Sequence, residues 1–97
     1  MLAKIDFDQI DVVSDKLKIL CNPDRLRILC VLNENHLNVQ EIEELTQISQ
    51  PTLSQQLTVL RKAKIVDTER QGKFIYYSFK DAKSLKIIDT LHKLYCE

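Results

Sequence analysis

The sequence predicts one mainly helical domain with a single β-hairpin, in the element order α-α-α-α-β-β-α. The first observation is a polar stretch in which Leu53, Leu57 and Leu60 recur at i, i+4 and i+7, and therefore form one buried helical stripe. The second is a change of periodicity after Lys64, where β-branched and aromatic residues flank a Gln-Gly pair. The other helices follow from apolar spacing and capping residues.

The length of 97 residues fits one small domain spanning 1–97, and 44% hydrophobic residues supply a core. No stretch approaches the roughly 18 consecutive apolar residues of a membrane span, so we expect a cytoplasmic protein with no membrane partner. An odd count of three cysteines without C-x-x-C spacing argues against a disulfide framework.

The net charge is zero, but the charges are unevenly distributed. Residues 1–48 carry five Lys or Arg against nine Asp or Glu, whereas residues 49–80 carry six against two. A basic segment on an acidic body is typical of a small DNA-binding domain.

Apolar spacing predicts a first amphipathic helix from residue 5 to residue 21. Asn22 and Pro23 then mark the N-cap and the first residue of a second helix, over about 23–33. The expected inward positions of this second helix are Leu26, Leu29, Cys30 and Leu32.

A third helix opens at Asn38, where Glu41 completes a capping-box spacing, and it ends near Thr46. Its expected buried residues are Val39, Ile42 and Leu45. A tight turn leads to the leucine-striped fourth helix, which Ser49 can cap. Together the two helices predict a helix-turn-helix over 38–63, whose second helix would enter a DNA major groove.

Residues 65–80 form the predicted hairpin, and a hairpin that follows a helix-turn-helix is a wing. Its charged tip suits a neighbouring phosphate or a minor groove. Hydroxyls and amides on the fourth helix can read base edges, although a merely solvated polar face is the alternative. The predicted DNA-binding residues are Gln50, Thr52, Ser54, Gln55, Thr58, Arg61, Lys62, Arg70 and Lys73.

The last helix, over 82–95, is apolar on two faces, so it can pack on its own domain and on a partner. The first helix shows the same excess of apolar residues. We therefore expect residues 1–21 and 82–97 to form the interface of a homodimer that reads an inverted repeat in double-stranded DNA. The predicted interface residues are Ile10, Val13, Leu17, Ile88, Leu91 and Tyr95.

The segments LCNPDRLRIL, at 20–29, and SQPTLSQQLTVLRKA, at 49–63, closely resemble the ArsR/SmtB family. The resemblance covers nearly the whole chain and implies a dimeric winged-helix repressor that leaves DNA on binding metal or on thiol modification. Two places depart from the family pattern. Gln55-Gln56 fills the place of the His in the family's Ser-x-His-Leu signature, and Lys64 replaces a Gly, which requires an unusual backbone or a different cap.

The family's metal sites use a Cys-x-Cys type motif on the third helix, or paired Asp and His ligands on the last one. Residues 37–41 contain no cysteine, and Asp89 and His92 have no second pair downstream. We therefore expect no metal and no cofactor, with His36 in a loop and His92 a packing or surface residue.

Cys30, within RILCVL, and Cys96, which follows LY near the C-terminus, resemble the cysteine pair of the family's dithiol branch, the branch of HlyU-, BigR- and SqrR-like regulators. This resemblance implies that Cys30 and Cys96 sense persulfides or oxidants by forming a disulfide or polysulfide bridge. The alternative is that both are small hydrophobic residues, which is also the role expected of Cys21.

The leading hypothesis is a repressor whose operator affinity is switched at this dithiol. The alternatives are a thiol-independent DNA-binding anti-silencer, a metal-responsive repressor, and an interaction module that has lost DNA binding. An enzyme is not expected, because no Cys–His pair with an orienting acid is apparent.

Overall fold

The computed structural model describes residues 6–96, so the predicted helical start at residue 5 lies outside the described residues, while residues 6–9, also predicted as helix, are not helical. Over this range it has five helices and three strands: α1 (Ile10–Leu20), α2 (Pro23–Leu32), β1 (Leu37–Asn38), α3 (Val39–Thr46), α4 (Gln50–Lys62), β2 (Val66–Gln71), β3 (Phe74–Phe79) and α5 (Ala82–Tyr95). The predicted mainly helical fold with a hairpin is confirmed. None of the helices in this range has the length and apolarity needed to cross a membrane.

The sheet contains one strand that the sequence did not predict. Strand β1 pairs antiparallel with β3, which places Leu37 opposite Tyr77 and Asn38 opposite Tyr76, and the strand order is β1-β3-β2. A strand of two residues is too short to show a periodicity in the sequence, so it could not be predicted. It is recognised by its pairing with β3. Its consequence is that the start of α3 is joined to the wing.

The core lies where α2, α3, α4, the base of the wing and α5 meet. The predicted leucine stripe of α4 is confirmed, since Leu53, Leu57 and Leu60 are at most 2% exposed. Within the described range 6–96, the buried hydrophobic residues are Leu20, Ile28, Leu29, Leu32, Ile42, Ile48, Leu53, Leu57, Leu60, Ile65, Val66 and Ile88.

Two predicted inward positions are wrong. On α2, Leu29 and Leu32 are buried as predicted, but Ile28 fills the core while Cys30 is exposed. On α3, Leu45 is 61% exposed. Val39 and Leu45 lie about 60° around the helix from Ile42, on opposite sides, and only the side of Val39 packs against the core.

The helix starts agree with the capping residues of the sequence, with one exception. Asn22 accepts a hydrogen bond from the Arg25 N–H, and Asn38 and Glu41 form the predicted capping box. Ser49 is the N-cap of α4 by position, but its side chain makes no capping hydrogen bond. Its hydroxyl lies 3.4 Å from the hydroxyl of Thr52 instead.

Lys64 ends α4 in the left-handed region, with φ of 62°. The Lys64 N–H donates to the Arg61 carbonyl and the Ile65 N–H donates to the Leu60 carbonyl, each at 3.0 Å. These two bonds define a Schellman motif, in which Gly is the usual residue at the position of Lys64. Of the two alternatives that the missing glycine allows, an unusual backbone or a different cap, the structure has the first.

Helix α1 is tied to the start of α5 by an ion pair, in which Lys16 Nζ lies 2.5 Å from Asp81 Oδ2. Asp81 is also the N-cap of α5 and accepts hydrogen bonds from the Ser84 N–H and hydroxyl. Lys16 and Ser84 lower the pKa of Asp81 to about 2. Because the folded pKa is depressed, this tie stabilises the fold above the ordinary carboxyl pKa of about 4 and is lost as the pH falls toward 2.

Candidate DNA interface and thiol pair

Helix α4 buries its leucines and turns its polar face to solvent. Of the nine predicted DNA-binding residues, Thr52 is half-buried and the rest are exposed. The Thr58 hydroxyl donates to the Ser54 carbonyl at 2.8 Å, so in this state it can accept a hydrogen bond from a base but has no free proton to donate. Gln55 is exposed at the centre of this face, where a side-chain amide can make a bidentate contact with adenine.

Gln56 lies on a different side of α4 from Gln55 and is half-buried. Its Oε1 accepts a hydrogen bond from Arg25 Nη1 at 2.8 Å, while Arg25 Nε donates to the Ile19 carbonyl at 2.5 Å. The amide that stands in place of the family's histidine is therefore used inside the protein. Arg25 carried no signal in the sequence, because an arginine on an amphipathic helix ordinarily indicates a solvated position.

The wing turns through the two residues Gly72 and Lys73, since Gln71 pairs with Phe74. Gly72 has φ of 63° whereas Lys73 has no positive φ, which is the pattern of a type II′ hairpin turn. Arg70 Nε donates to the Gly72 carbonyl at 3.0 Å, and Lys73 Nζ lies 5.6 Å from the centroid of the Phe74 ring. Both cations of the tip are thereby held close to the turn.

A cleft of about 380 Å³ separates α4 from the wing. Its lining residues are Leu57, Thr58, Arg61, Lys62 and Tyr77. Two cations beside the Tyr77 hydroxyl suit a phosphate oxygen, which accepts hydrogen bonds from both kinds of group. Tyr77 was not among the predicted site residues, and only the pairing of β3 with its neighbours shows which way it faces.

Cys30 on α2 and Cys96 at the C-cap of α5 line one cleft of about 290 Å³. Leu26, Ile88, Leu91, His92 and Tyr95 complete its walls. Both cysteines are free thiols and both are exposed. Burial raises the pKa of the Cys30 thiol, and negative charge on Cys96 raises it further.

Residues 22–68 match the family model described as bacterial regulatory protein, arsR family. The chain is 45% identical to the biofilm growth-associated repressor of Agrobacterium fabrum, over 82% of this chain and 68% of that protein. It belongs to the arsR family. The transcriptional activator HlyU of Vibrio cholerae is 37% identical over 84% of this chain and 75% of its own length. The crystal structure of the transcriptional repressor BigR from Xylella fastidiosa superposes with a TM-score of 0.85 at 40% identity, covering 92% of this chain and 91% of that one.

This arsR-family protein is thus a DNA-binding transcriptional regulator with a winged helix-turn-helix fold, and its relatives are regulators and not enzymes. Both family departures noted in the sequence have a structural account. Gln56 is engaged by Arg25, and Lys64 adopts the backbone conformation that glycine usually supplies.

Among residues 6–96 of the regulator, no three His, Cys, Asp or Glu side chains converge in a way that could hold a metal ion. Asp89, which the family's last-helix site would use, accepts instead from Lys93 Nζ at 3.0 Å and from Asn33 Nδ2 at 3.5 Å. The Lys93 ammonium and the Asn33 amide lower the pKa of Asp89. Its two carboxylate oxygens therefore already have partners.

The predicted dimer interface of the regulator is exposed, with one correction. Ile10, Val13 and Leu17 on α1 are 49–53% exposed, and Tyr95 on α5 is 82% exposed. Ile88 is 1% exposed, so its assignment to the dimer interface is wrong: it packs in the core of its own protomer. Leu91 is 38% exposed, and Phe7 and Leu94, each 69% exposed, extend the apolar surface beyond the predicted residues.

Cys21, for which the expected role is that of a small hydrophobic residue, does not lie in the core of the protomer. Cys21 is exposed at the C-cap of α1, next to the core residue Leu20. It borders a groove of about 410 Å³ that Ile10, Val13 and Leu17 also line. Its place is therefore on the apolar surface of α1, apart from the cleft of the other two thiols.

Proposed function

We propose that the protein is a cytoplasmic homodimeric regulator that binds an inverted-repeat operator, and that a sulfur bridge between Cys30 and Cys96 lowers its affinity for that operator. The observation that carries the switch is the shared cleft: two thiols from different helices line it together with Leu91 and Tyr95 of the exposed apolar face. A change at the thiols is therefore a change beside the surface that a second protomer would cover.

The DNA-binding half of the proposal rests on α4 and the wing. With α4 in the major groove, Ser54 and Gln55 face base edges. Arg61 and Lys62, which lie in the last turn of α4 and line the adjoining cleft, contact phosphates. The wing tip, with Arg70 and Lys73, reaches a neighbouring phosphate or the minor groove. A two-fold axis through the apolar surfaces of α1 and α5 then presents two α4 helices to two half-sites about one helical turn apart.

The thiol chemistry follows from the raised pKa of Cys30, because the thiolate is the nucleophile and Cys30 is disfavoured in that form. We assign the first attack to Cys96, whose thiolate takes the outer sulfur of an organic persulfide and releases an organic thiol. Cys30 then attacks Cys96 Sγ and displaces hydrosulfide. Two protein thiols and one persulfide thus yield one disulfide, one thiol and hydrogen sulfide, and the electrons from the two cysteines reduce the sulfane sulfur. Additional persulfide would lengthen the bridge.

The bridge can reach the DNA interface because α2 packs against α3, α4 and α5. Joining α2 to the end of α5 constrains the helix that carries part of the dimer surface and the helix that supports α4. A coupling free energy of about 1–3 kcal/mol would lower operator affinity by about 5- to 150-fold.

The test combines intact mass with operator binding on the same sample. Reduced protein is treated separately with an alkyl persulfide and with hydrogen peroxide, digested and mapped, and its affinity for operator DNA is measured. We expect a peptide that joins Cys30 to Cys96, together with weaker operator binding. Cys30→Ser should abolish both effects, whereas Cys21→Ser, the matched control on α1, should leave both intact. Unlinked thiols and unchanged affinity after both reagents would refute the switch.

A second candidate is a regulator that acts without its thiols, by displacing another DNA-bound protein. The observation that favours it is that one relative is named a transcriptional activator, so a similar DNA interface can serve more than repression. Expression from the regulated promoter distinguishes the two, since only the thiol-independent regulator keeps its full response in a Cys30→Ser, Cys96→Ser double variant.

A further inference from the structure

Two arginines on α2 lie two residues apart but have different surroundings. Arg27 is largely exposed and pairs with Asp24 of its own helix at 2.9 Å. Arg25 is half-buried, and its side chain donates hydrogen bonds to two other helices. The acceptors are the Ile19 carbonyl of α1 and the Gln56 side-chain amide of α4. One guanidinium thus joins three helices, which its rigid fork of donors allows.

The hydrogen bond from Arg25 gives the Ile19 carbonyl, near the C-terminus of α1, a donor. The last four carbonyls of a helix lack intrahelical donors, and at this end the N–H of Cys21 serves Leu17 while that of Asn22 serves Leu20. Arg25 serves Ile19. The Arg25 backbone N–H donates to the Asn22 side chain, and Arg25 Nε donates to the Ile19 carbonyl. Because both ends of the side chain are held, Nη1 points toward Gln56 in a fixed direction.

Gln56 sits between the exposed Gln55 and the core residue Leu57, about 100° around α4 from each. The leucine stripe fixes the depth of α4 in the core, but apolar packing is non-directional and tolerates a small rotation or slide. A charge-assisted hydrogen bond from a rigid donor adds a direction.

We propose that Arg25 is a positioning residue for operator recognition: through Gln56 it holds α4 at a fixed rotation relative to α1 and α2, and so aims Gln55 at its base. The proposal rests on the DNA-binding half of the function proposed above and is independent of the thiol switch. Arg25 contacts no phosphate in this role, which separates it from the cations of α4 and the wing.

The experiment measures affinity for operator and for random DNA, over a range of salt concentrations, with reduced full-length protein. The variants are Arg25→Met, Gln56→Met and their double, and Arg27→Met is the matched control on the same helix. Gln56→Met leaves the bond between Arg25 and Ile19 intact, so it tests the link to α4 even if Arg25→Met loosens the fold. Thermal unfolding of every variant accompanies the binding measurements.

We expect Arg25→Met and Gln56→Met each to lower operator affinity about tenfold while random-DNA affinity changes less than about twofold, the size set by one charge-assisted hydrogen bond. The double variant should lose no more than either single one, and the salt dependence should match wild type. Arg27→Met should behave as wild type.

Three results would overturn the proposal. If Gln56→Met retained the preference for operator over random DNA, packing alone would determine the orientation of α4. Equal losses on operator and random DNA would indicate a general loss of folded protein, and a shallower salt dependence in Arg25→Met would make Arg25 a phosphate contact. A wild-type protein without operator preference would instead refute the proposed DNA recognition and this inference together.

Discussion

Helices α2 and α4 lie against each other in the core, but they present their side chains in different ways. In α4 the leucines are buried and the intervening residues are mostly exposed and polar, so one face packs and another is free for DNA. In α2 the five consecutive residues from Ile28 to Leu32 are all apolar, and only neighbouring helices decide that Ile28 is buried and Cys30 exposed. The spacing of a single apolar stripe predicts which face of a helix is buried, whereas five consecutive apolar residues do not, and a thiol among them can be exposed although it resembles a core residue.

The largest effects are expected when a buried side chain of each helix is truncated. Leu53→Ala on α4 and Ile28→Ala on α2 should each lower the free energy of unfolding by about 2–5 kcal/mol, because both side chains are fully buried. Cys30→Ala, two residues along, should change it by no more than about 0.5 kcal/mol. Urea unfolding of the reduced proteins measures all three. A Cys30→Ala loss comparable to that of Ile28→Ala would return the thiol to the core.

The exposed side of α4 is tested by DNA binding. Gln55→Ala should weaken operator binding by about 1–3 kcal/mol and leave random-DNA binding nearly unchanged, because a base contact is lost. Lys73→Ala at the wing tip should weaken both and reduce the salt dependence by about one phosphate contact. Titrations at several salt concentrations measure these effects. Equal losses for Gln55→Ala on both DNAs would exclude direct base reading by this residue.

The N-termini of the two helices differ in their capping hydrogen bonds. Asn22→Ala should destabilise the protein by about 1 kcal/mol, because the Asn22 side chain caps α2. Ser49→Ala should cost only a few tenths, because Ser49 makes no capping hydrogen bond to α4. Parallel thermal melts compare the two variants. Equal costs would show that the Ser49 hydroxyl caps α4 in solution.

The end of α4 offers a gain in stability. Lys64→Gly should stabilise the fold by about 0.5–1 kcal/mol, since glycine adopts a positive φ without the steric cost that lysine meets, less the entropy that glycine loses on folding. Chemical denaturation detects this shift. Lys62→Gly, inside the same last turn, should instead destabilise α4 by about 1 kcal/mol and serves as the control.

The smallest effect concerns the thiol of α2. Alkylation of Cys30 should require a higher pH than an ordinary thiol, because its pKa is raised by burial and by negative charge on Cys96. Cys96→Ser removes the charge, the lesser cause, and should lower the pKa of Cys30 only part of the way to its usual range. Rates of iodoacetamide labelling against pH, read by peptide mass, give both values. An unchanged profile in Cys96→Ser would mean that the two thiols do not interact.

The helix face and the hairpin on which the proposed DNA interface rests could be predicted, because they depend on local pattern. The spacing of three leucines identified both faces of α4, and the Gln-Gly pair identified the wing tip. The thiol cleft, by contrast, was predicted only through resemblance, since Cys30 and Cys96 lie on helices far apart in sequence. The errors fall where a local pattern was ambiguous: Cys30 on a helix with five consecutive apolar residues, Leu45 on a short helix, and Ile88 on a helix apolar on two faces.

The five helices, the hairpin and most of their ends could be predicted from the sequence, because capping residues, apolar spacing and turn residues act through neighbours only a few positions away. The sequence also determined the basic segment and the polar face of α4. The tertiary structure decided which of several apolar residues enter the core, that β1 joins the wing, and that Arg25 of α2 reaches both Ile19 and Gln56. These depend on contacts between elements distant in sequence, whose geometry is set only when the helices pack.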